Sequence, residues 1–173
     1  MKIMKKITGL LAVLLMVSGM NTVSAQTTTI ILLRHAEKDT STAGSTMMQS
    51  NPPLSREGEQ RAAHIPELLK TYSPDAIFST DYNRTRSTVA PLAKKFGRDI
   101  QVYDPRKLAD LAKQLQDMPG KTIVVVGHSN TTPALVNLLI GENKYPNLDD
   151  SVYNQYWIVT ISNGKAEARQ LSY

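Results

Sequence analysis

Apolar residues are distributed along this chain in two alternating styles. In one they stand side by side, as in TIILLR (29–34), DAIFST (75–80), DIQVYD (99–104) and KTIVVVGH (121–128). Short continuous apolar runs suit strands covered on both faces. In the other style they recur every three or four positions, the period of a helix with one buried face. LSREGEQRAAHIPELLKTY (54–72) places Ala62, Ile65, Leu68 and Leu69 on one stripe, with Ser55 as the N-cap. NRTRSTVAPLAKKF (83–96) is helical in pattern, and Pro91 is expected to kink or delay it. PRKLADLAKQLQDM (105–118) is expected to open at Pro105, and NTTPALVNLLI (130–140) carries Pro133 in its first turn. The end of the chain changes style. YNQYWIVTIS (153–162) and KAEARQLSY (165–173) flank Asn163-Gly164, the signature of a hairpin with a two-residue turn.

Repeated strand–helix units predict right-handed crossovers and a three-layer α/β/α sandwich with a mostly parallel sheet, closed by a C-terminal antiparallel β-hairpin. No internal repeat divides the chain, so 26–173 reads as a single domain. The Ser-, Thr- and Gly-rich stretch 40–51 is the segment expected to be flexible.

The first 25 residues belong to a different regime. Lys2, Lys5 and Lys6 precede an apolar run over 7–19, and Val23-Ser24-Ala25 supplies small residues at the −3 and −1 positions of a cleavage site. The run is short of the roughly 20 apolar residues that span a bilayer, so 1–25 is expected to be a cleaved signal peptide rather than an anchor. No Cys follows it, which excludes a lipid-modified cysteine. The protein is therefore expected to be secreted across the inner membrane, to the periplasm, without a stable membrane anchor.

Composition narrows the chemistry. The net charge of +5 includes the three lysines of the leader; without them 17 basic residues face 15 acidic ones, a net of +2. No basic run or aromatic-interleaved patch points to nucleic acid. The absence of Cys removes disulfides, thiolate zinc sites and cysteine nucleophiles, including the Cys-x5-Arg phosphatases. Three His, at 35, 64 and 128, with no H-x-H or H-E-x-x-H pairing, argue against a metal centre. No cofactor is expected.

The remaining signal sits where strands end. Ligands of open parallel sheets bind beyond the carboxyl ends of the strands. Those ends here carry Arg34-His35, then Ser79-Thr80-Asp81 with Arg84 just beyond, then Asp104, then Gly127-His128-Ser129-Asn130. Arginine forks match phosphate oxygens, and a helix N-terminus near Ser129 to Thr131 adds N–H donors. A neutral imidazole can attack phosphorus, and a second can stabilise the transferring group. The set points to phosphoryl transfer on a small phosphorylated substrate. The plainer readings are a strand terminator for His35, a surface charge for Arg84 and a satisfied core residue for His128. Arg86 reads as a surface charge, Glu37 as a loop or supporting residue, and His64 receives no role.

Four segments then coincide with one known family. LLRHAEK resembles its R-H-G/A signature, and NPPLSREGEQRA its P-L-[ST]-x-x-G-x-x-[QR]-A segment. STDYNRTRSTVAPLA is similar to its S-[ST]-x-x-x-R-[AT]-x-x-T-A helix entry, and VVVGHSN to its V-x-H-G/S segment. In this order they resemble the histidine phosphatase superfamily, the phosphoglycerate-mutase-like fold, and its short phosphatase members. The resemblance implies that His35 becomes phosphorylated, with Arg34, Arg84 and His128 completing the phosphate pocket. Two positions depart from the mutase-type pattern: Ser41 stands where an Asn is common, and only Asp104 stands where a Glu proton donor is usual. The leading reading is a secreted, metal-independent phosphomonoesterase with Asp104 as candidate donor. A phosphomutase of the same superfamily and a catalytically silent phosphate-binding module are the alternatives. Segments 40–51 and 143–150 are expected to wall the pocket. Inositol, sugar and lipopolysaccharide-core phosphates all remain open as substrates.

Overall fold

The computed structural model describes residues 26–41 and 51–173. The expected leader and most of the expected flexible stretch lie outside the described residues. In chain order the elements are β1 (Thr28–Arg34), α1 (Arg56–Leu68), β2 (Ala76–Ser79), α2 (Asn83–Phe96), β3 (Ile100–Val102), α3 (Leu108–Gln116), β4 (Thr122–Gly127), α4 (Thr131–Ile140), β5 (Gln155–Ser162) and β6 (Lys165–Ser172). They form one sheet of order β3-β2-β4-β1-β5-β6. Strands β3, β2, β4 and β1 are parallel, and the β5–β6 hairpin joins β1 antiparallel. The expected architecture is the observed one.

The continuous apolar runs work by alternation. Ile30 and Leu32 of β1, with Ile123 and Val125 of β4, pack on Leu111 and Leu115 of α3 and Leu135 and Leu139 of α4. Ile31 and Leu33, with Val124 and Val126, face the other way onto Ile65 of α1 and Val89 and Leu92 of α2. A strand between two helical layers needs apolar residues at every position. Residues 30–33 are all fully buried, each contributing roughly 1.5–3 kcal/mol through burial. The hairpin turn follows from two residues that tolerate positive φ, Asn163 at 52° and Gly164 at 73°. Among the described residues no helix is long and apolar enough to cross a membrane.

Local expectations shift in three places. Helix α2 runs unbroken through Pro91. The bond that proline forgoes would end on the carbonyl of Ser87, an exposed residue whose oxygen water can serve. Helix α3 begins at Leu108, not at Pro105. The Asp104 carboxylate accepts from the Arg106 N–H at 2.9 Å, and the Asp104 carbonyl accepts from the Lys107 N–H at 3.0 Å, making a turn where the first helical turn was expected. Strand β3 is a three-residue edge with Val102 exposed, so the third apolar run is covered less than the others.

Gly58 explains one motif position. It opens α1 against the backbone just after β1, and a Cβ there would overlap the Glu37 carbonyl oxygen. Ser55 caps the same turn, its hydroxyl accepting from the Gly58 N–H at 3.2 Å. Glu37 takes both Nε and Nη2 of Arg61, at 2.9 and 2.7 Å, and so ties the exit of β1 to α1. Its part is structural support, close to the sequence expectation.

Candidate active site

Strand register brings the two site histidines together. Arg34 of β1 lies opposite Gly127 of β4, and Ser79 of β2 lies opposite Val126. The next residues along, His35, His128 and Thr80, therefore leave the sheet side by side. The His35 N–H donates to the Gly127 carbonyl at 2.9 Å, and the two imidazole centroids are 5.4 Å apart.

His35 is 4% exposed. Its Nδ1 lies 2.7 Å from the Ala36 carbonyl oxygen. A carbonyl only accepts, so Nδ1 carries the proton of the neutral ring and Nε2 keeps its lone pair. Burial pulls the His35 pKa down to about 3; the Ala36 carbonyl opposes this, and His128, Arg84 and Arg34 add to it. The ring is neutral at pH 7 and holds one nitrogen ready for bond formation. The loop is pinned beneath it: the Ala36 N–H donates to Thr88 Oγ1 at 2.9 Å, and that hydroxyl donates to the Arg84 carbonyl at 2.6 Å.

His128 is likewise neutral, its pKa pulled down to about 4 by burial and then by Arg84 and Arg34. Its Nε2 lies 3.0 Å from Thr80 Oγ1 and its Nδ1 3.4 Å from Arg84 Nη2. The His128 N–H donates to Thr131 Oγ1 at 2.9 Å, which fixes the turn from β4 into α4. Gly127 is required in that turn, because a Cβ there would crowd the hydroxyls of Tyr103, Thr131 and Thr132.

The two arginines are placed differently. Arg34 is 2% exposed. Its Nη1 donates to the carbonyls of Asp149 and Val152 at 2.8 and 2.7 Å, and Nη2 donates to the Asp150 carbonyl at 3.2 Å. The Asp150 carboxylate lies 3.5 Å from Nη2. The fork of Arg34 therefore holds the chain ahead of β5, and its Nε–H is buried with no partner. Arg84 lies beside His128 at the start of α2. Each guanidinium has a tyrosine ring against it, Tyr153 at 4.0 Å from Arg34 and Tyr82 at 4.5 Å from Arg84. Burial is the main influence on both arginine pKa values and lowers them.

Four rings form a row: Tyr82 to His128 at 5.1 Å, His128 to His35 at 5.4 Å, and His35 to Tyr153 at 6.0 Å. The two tyrosines went unread in the sequence. Tyr82, two residues before Arg84, carried a local signal; Tyr153 carried none, because its partner Arg34 is remote in the chain.

Asp104 is not drawn into this group. Arg106 forks its carboxylate, Nε to Oδ1 at 2.9 Å and Nη2 to Oδ2 at 2.8 Å, and these bonds pull its pKa down to about 2. That is the reverse of what a proton donor at neutral pH needs. It lines a neighbouring cleft of about 440 Å³ with Asp81, Tyr82, Val102 and Tyr103. Arg86 pairs with Asp81 at 3.1 Å on the surface, as expected, and His64 is exposed on α1. Of the segment 143–150, Asp149 and Asp150 reach the site through their carbonyls. A further cleft, about 510 Å³, lies at the opposite ends of the strands around Thr28 and Leu138 and is lined by no ionisable side chain. Among the described residues no three His, Asp or Glu side chains are grouped to hold a metal ion.

The two buried histidines have a consequence for stability. Their folded pKa values lie below the ordinary 6.5, so the unfolded chain binds more protons in the window between. The stability they carry is present above about pH 6.5 and is lost as pH falls toward 4 and then 3. Urea midpoints are expected to fall steadily from pH 7 to pH 4, and His35→Gln with His128→Gln should flatten that slope. An equally steep slope in the double variant would assign it to the carboxylates instead.

Known proteins resemble this chain in sequence over part of its length and in fold over most of it. The sequence model of the histidine phosphatase superfamily (branch 1) matches residues 30–112. The protein named "Probable phosphoglycerate mutase GpmB" of Enterobacter sp. (strain 638) is 34% identical over 77 residues, which cover 44% of this chain and 35% of that protein. The chain thus matches about a third of the length of that relative. The native structure of a mycobacterial glucosyl-3-phosphoglycerate phosphatase superposes with a TM-score of 0.66 at 15% identity, over 85% of this chain and 98% of the other. The protein histidine phosphatase SixA complexed with tungstate gives a TM-score of 0.64 at 15% identity, over 83% of this chain and 96% of the other. At such identity these two speak for the fold alone. The matched sequence model and the motifs inside it show that residues 30–112 of this chain belong to the histidine phosphatase superfamily, and the fold brings His128, outside that segment, beside His35.

Proposed function

We propose that this protein is an exported phosphatase that cleaves phosphomonoesters through a phosphohistidine on His35, without a metal ion. The observation that carries the reading is the state of His35. Its proton is anchored on the Ala36 carbonyl, its Nε2 is unprotonated, and Arg84, His128 and the unpartnered Nε–H of Arg34 stand around it. A buried N–H without a partner costs about 1–3 kcal/mol, which a phosphoryl oxygen would recover. Attack by Nε2 forms an N–P bond as the P–O bond to the leaving group breaks, its electron pair staying on the leaving oxygen. Water then attacks the phosphorus, the N–P bond breaks, and the ring returns neutral with phosphate released.

The leaving oxygen needs a proton from somewhere. Every carboxyl group near the pocket whose titration is displaced is displaced downward, including Glu37, Asp104 and Asp149. Residues 42–50 contain no Asp or Glu. General acid help is ordinarily worth about 10²–10⁴-fold. The enzyme is therefore expected to favour leaving groups that depart unaided, with para-nitrophenyl phosphate turned over at least about 10²-fold faster than a simple alkyl phosphate. Millimolar EDTA should leave that activity intact. Equal rates on both esters, or activity restored only by added metal, would overturn this account.

The name of the matched relative favours a second reading, a phosphomutase. Transfer of labelled phosphate to an added alcohol rather than to water would support it. The export half of the proposal rests on Lys2, Lys5, Lys6 and Val23-Ser24-Ala25. Intact mass of the secreted protein should place its first residue at Gln26; a membrane-bound chain retaining Met1 would refute export with cleavage.

A further inference from the structure

Two fully buried threonines stand behind His128 with no task in the chemistry above. Thr80 directly follows β2 and Thr85 lies in the first turn of α2, both at 0% exposure. Thr80 Oγ1 is 3.0 Å from His128 Nε2 and 2.9 Å from Thr85 Oγ1. Thr85 Oγ1 is 2.9 Å from each of the Thr80 and Tyr82 carbonyl oxygens. The directions of these bonds are not free. A carbonyl only accepts, so the single hydroxyl proton of Thr85 goes to backbone oxygen. Thr85 Oγ1 then accepts from Thr80, whose one proton is thereby committed. Thr80 can meet His128 only as an acceptor, so Nε2 must carry the ring proton. At the other end of the ring the Arg84 guanidinium has only donors, and at 3.4 Å it faces a lone pair on Nδ1. Every bond in the row agrees in direction.

We infer that Thr80, backed by Thr85, is a positioning residue that fixes His128 as its Nε2–H tautomer and so turns an acceptor nitrogen toward Arg84, orienting that fork beside His35. The inference rests on the phosphoryl-transfer reading only for its kinetic consequence; the tautomer is a property of the free protein. It also gives a reason for threonine at both positions. A buried valine has the same shape but would leave a ring N–H or a hydroxyl unpaired.

The test is imidazole ¹⁵N NMR of the full mature chain at pH 7, where His128 is neutral. Wild type should show Nε2 protonated and Nδ1 bare, and Thr80→Ser should retain that pattern. Thr85→Val gives the sharpest outcome. Thr80 then loses its acceptor, its proton turns onto Nε2, and His128 should shift toward the Nδ1–H form. Thr80→Val should lower kcat by about 5- to 20-fold with Thr80→Ser close to wild type, as expected for one buried donor left unmet. A wild-type ring protonated on Nδ1, or a Thr85→Val protein with the wild-type pattern, would overturn the inference. Should Thr80→Val fail to fold, those two spectra still decide. A wild type with the expected tautomer that turns over no phosphate compound would refute the enzyme reading while leaving the tautomer assignment standing.

Discussion

His35→Ala is expected to remove turnover, by about 10³-fold or more, while leaving the protein folded and able to bind phosphate or vanadate. The reason is the division of labour in the pocket. His35 contributes an imidazole nitrogen, Nε2, held unprotonated, its ring locked from behind through Nδ1 on the Ala36 carbonyl at 2.7 Å. In the proposed reading the charges that attract an anion sit on other residues, Arg84 and the Nε–H of Arg34. Deleting the ring takes away the bond-forming atom and leaves the anion site. It also opens space rather than filling it, so an oxyanion meets no new obstruction. The intermediate gives a second measure. Rapid quench under non-acidic conditions with labelled substrate should place label on His35, stable to base and labile to acid, as a phosphoramidate is and a serine ester is not. An active His35→Ala protein would end the mechanism. A wild type that binds phosphate but never carries label or releases product would instead make the chain a silent binding module.

Arg84→Ala should act on both binding and rate. Its guanidinium faces His128 at 3.4 Å and is steadied by the Tyr82 ring at 4.5 Å, within a site whose burial strengthens any charged contact. A charge-assisted hydrogen bond of this kind contributes about 1.5–3 kcal/mol, so vanadate affinity and kcat/KM should each fall about 10- to 100-fold. Arg84→Lys restores the charge without the planar fork and should recover only part of the loss. Isothermal titration with vanadate, alongside kinetics on para-nitrophenyl phosphate, separates the two effects. Weaker binding at an unchanged kcat would place Arg84 in ground-state recognition alone. No change in either would return it to the surface charge that its position on a helix first allowed.

The two arginines show how far residue type carries and where it stops. Arg34 and Arg84 are alike in sequence logic: each lies at or just beyond the carboxyl end of a strand and each suits a phosphate oxygen. In the fold Arg84 lies beside His128, whereas the Nη atoms of Arg34 reach carbonyls at 149, 150 and 152, more than a hundred residues away. Nothing within a window of sequence encodes that choice. Asp104 teaches the same point at short range. It stands after the third strand, where the family resemblance directs attention, yet Arg106 two residues on claims its carboxylate. The competing partner was in view; which of two partners wins depends on where the backbone turns.

What the sequence determined by itself is whatever a few neighbouring residues can enforce. Alternating burial made the strands of β1 and β4, the helical stripe through Ala62 and Ile65 made α1, and Asn163-Gly164 closed the hairpin, because pleat, helical period and positive φ are local properties. The presence of His35, His128 and Arg84 at strand ends was legible for the same reason. Tertiary structure decided the rest through register. Arg34 opposite Gly127 sets His35 against His128, and Ser79 opposite Val126 sets Thr80 behind it. A shift of one residue in either pairing would send these side chains to opposite faces, since successive residues of a strand alternate. The buried faces of β1, β2 and β4 forbid that slip, so the helices packed on both sides of the sheet are what hold the two imidazoles 5.4 Å apart.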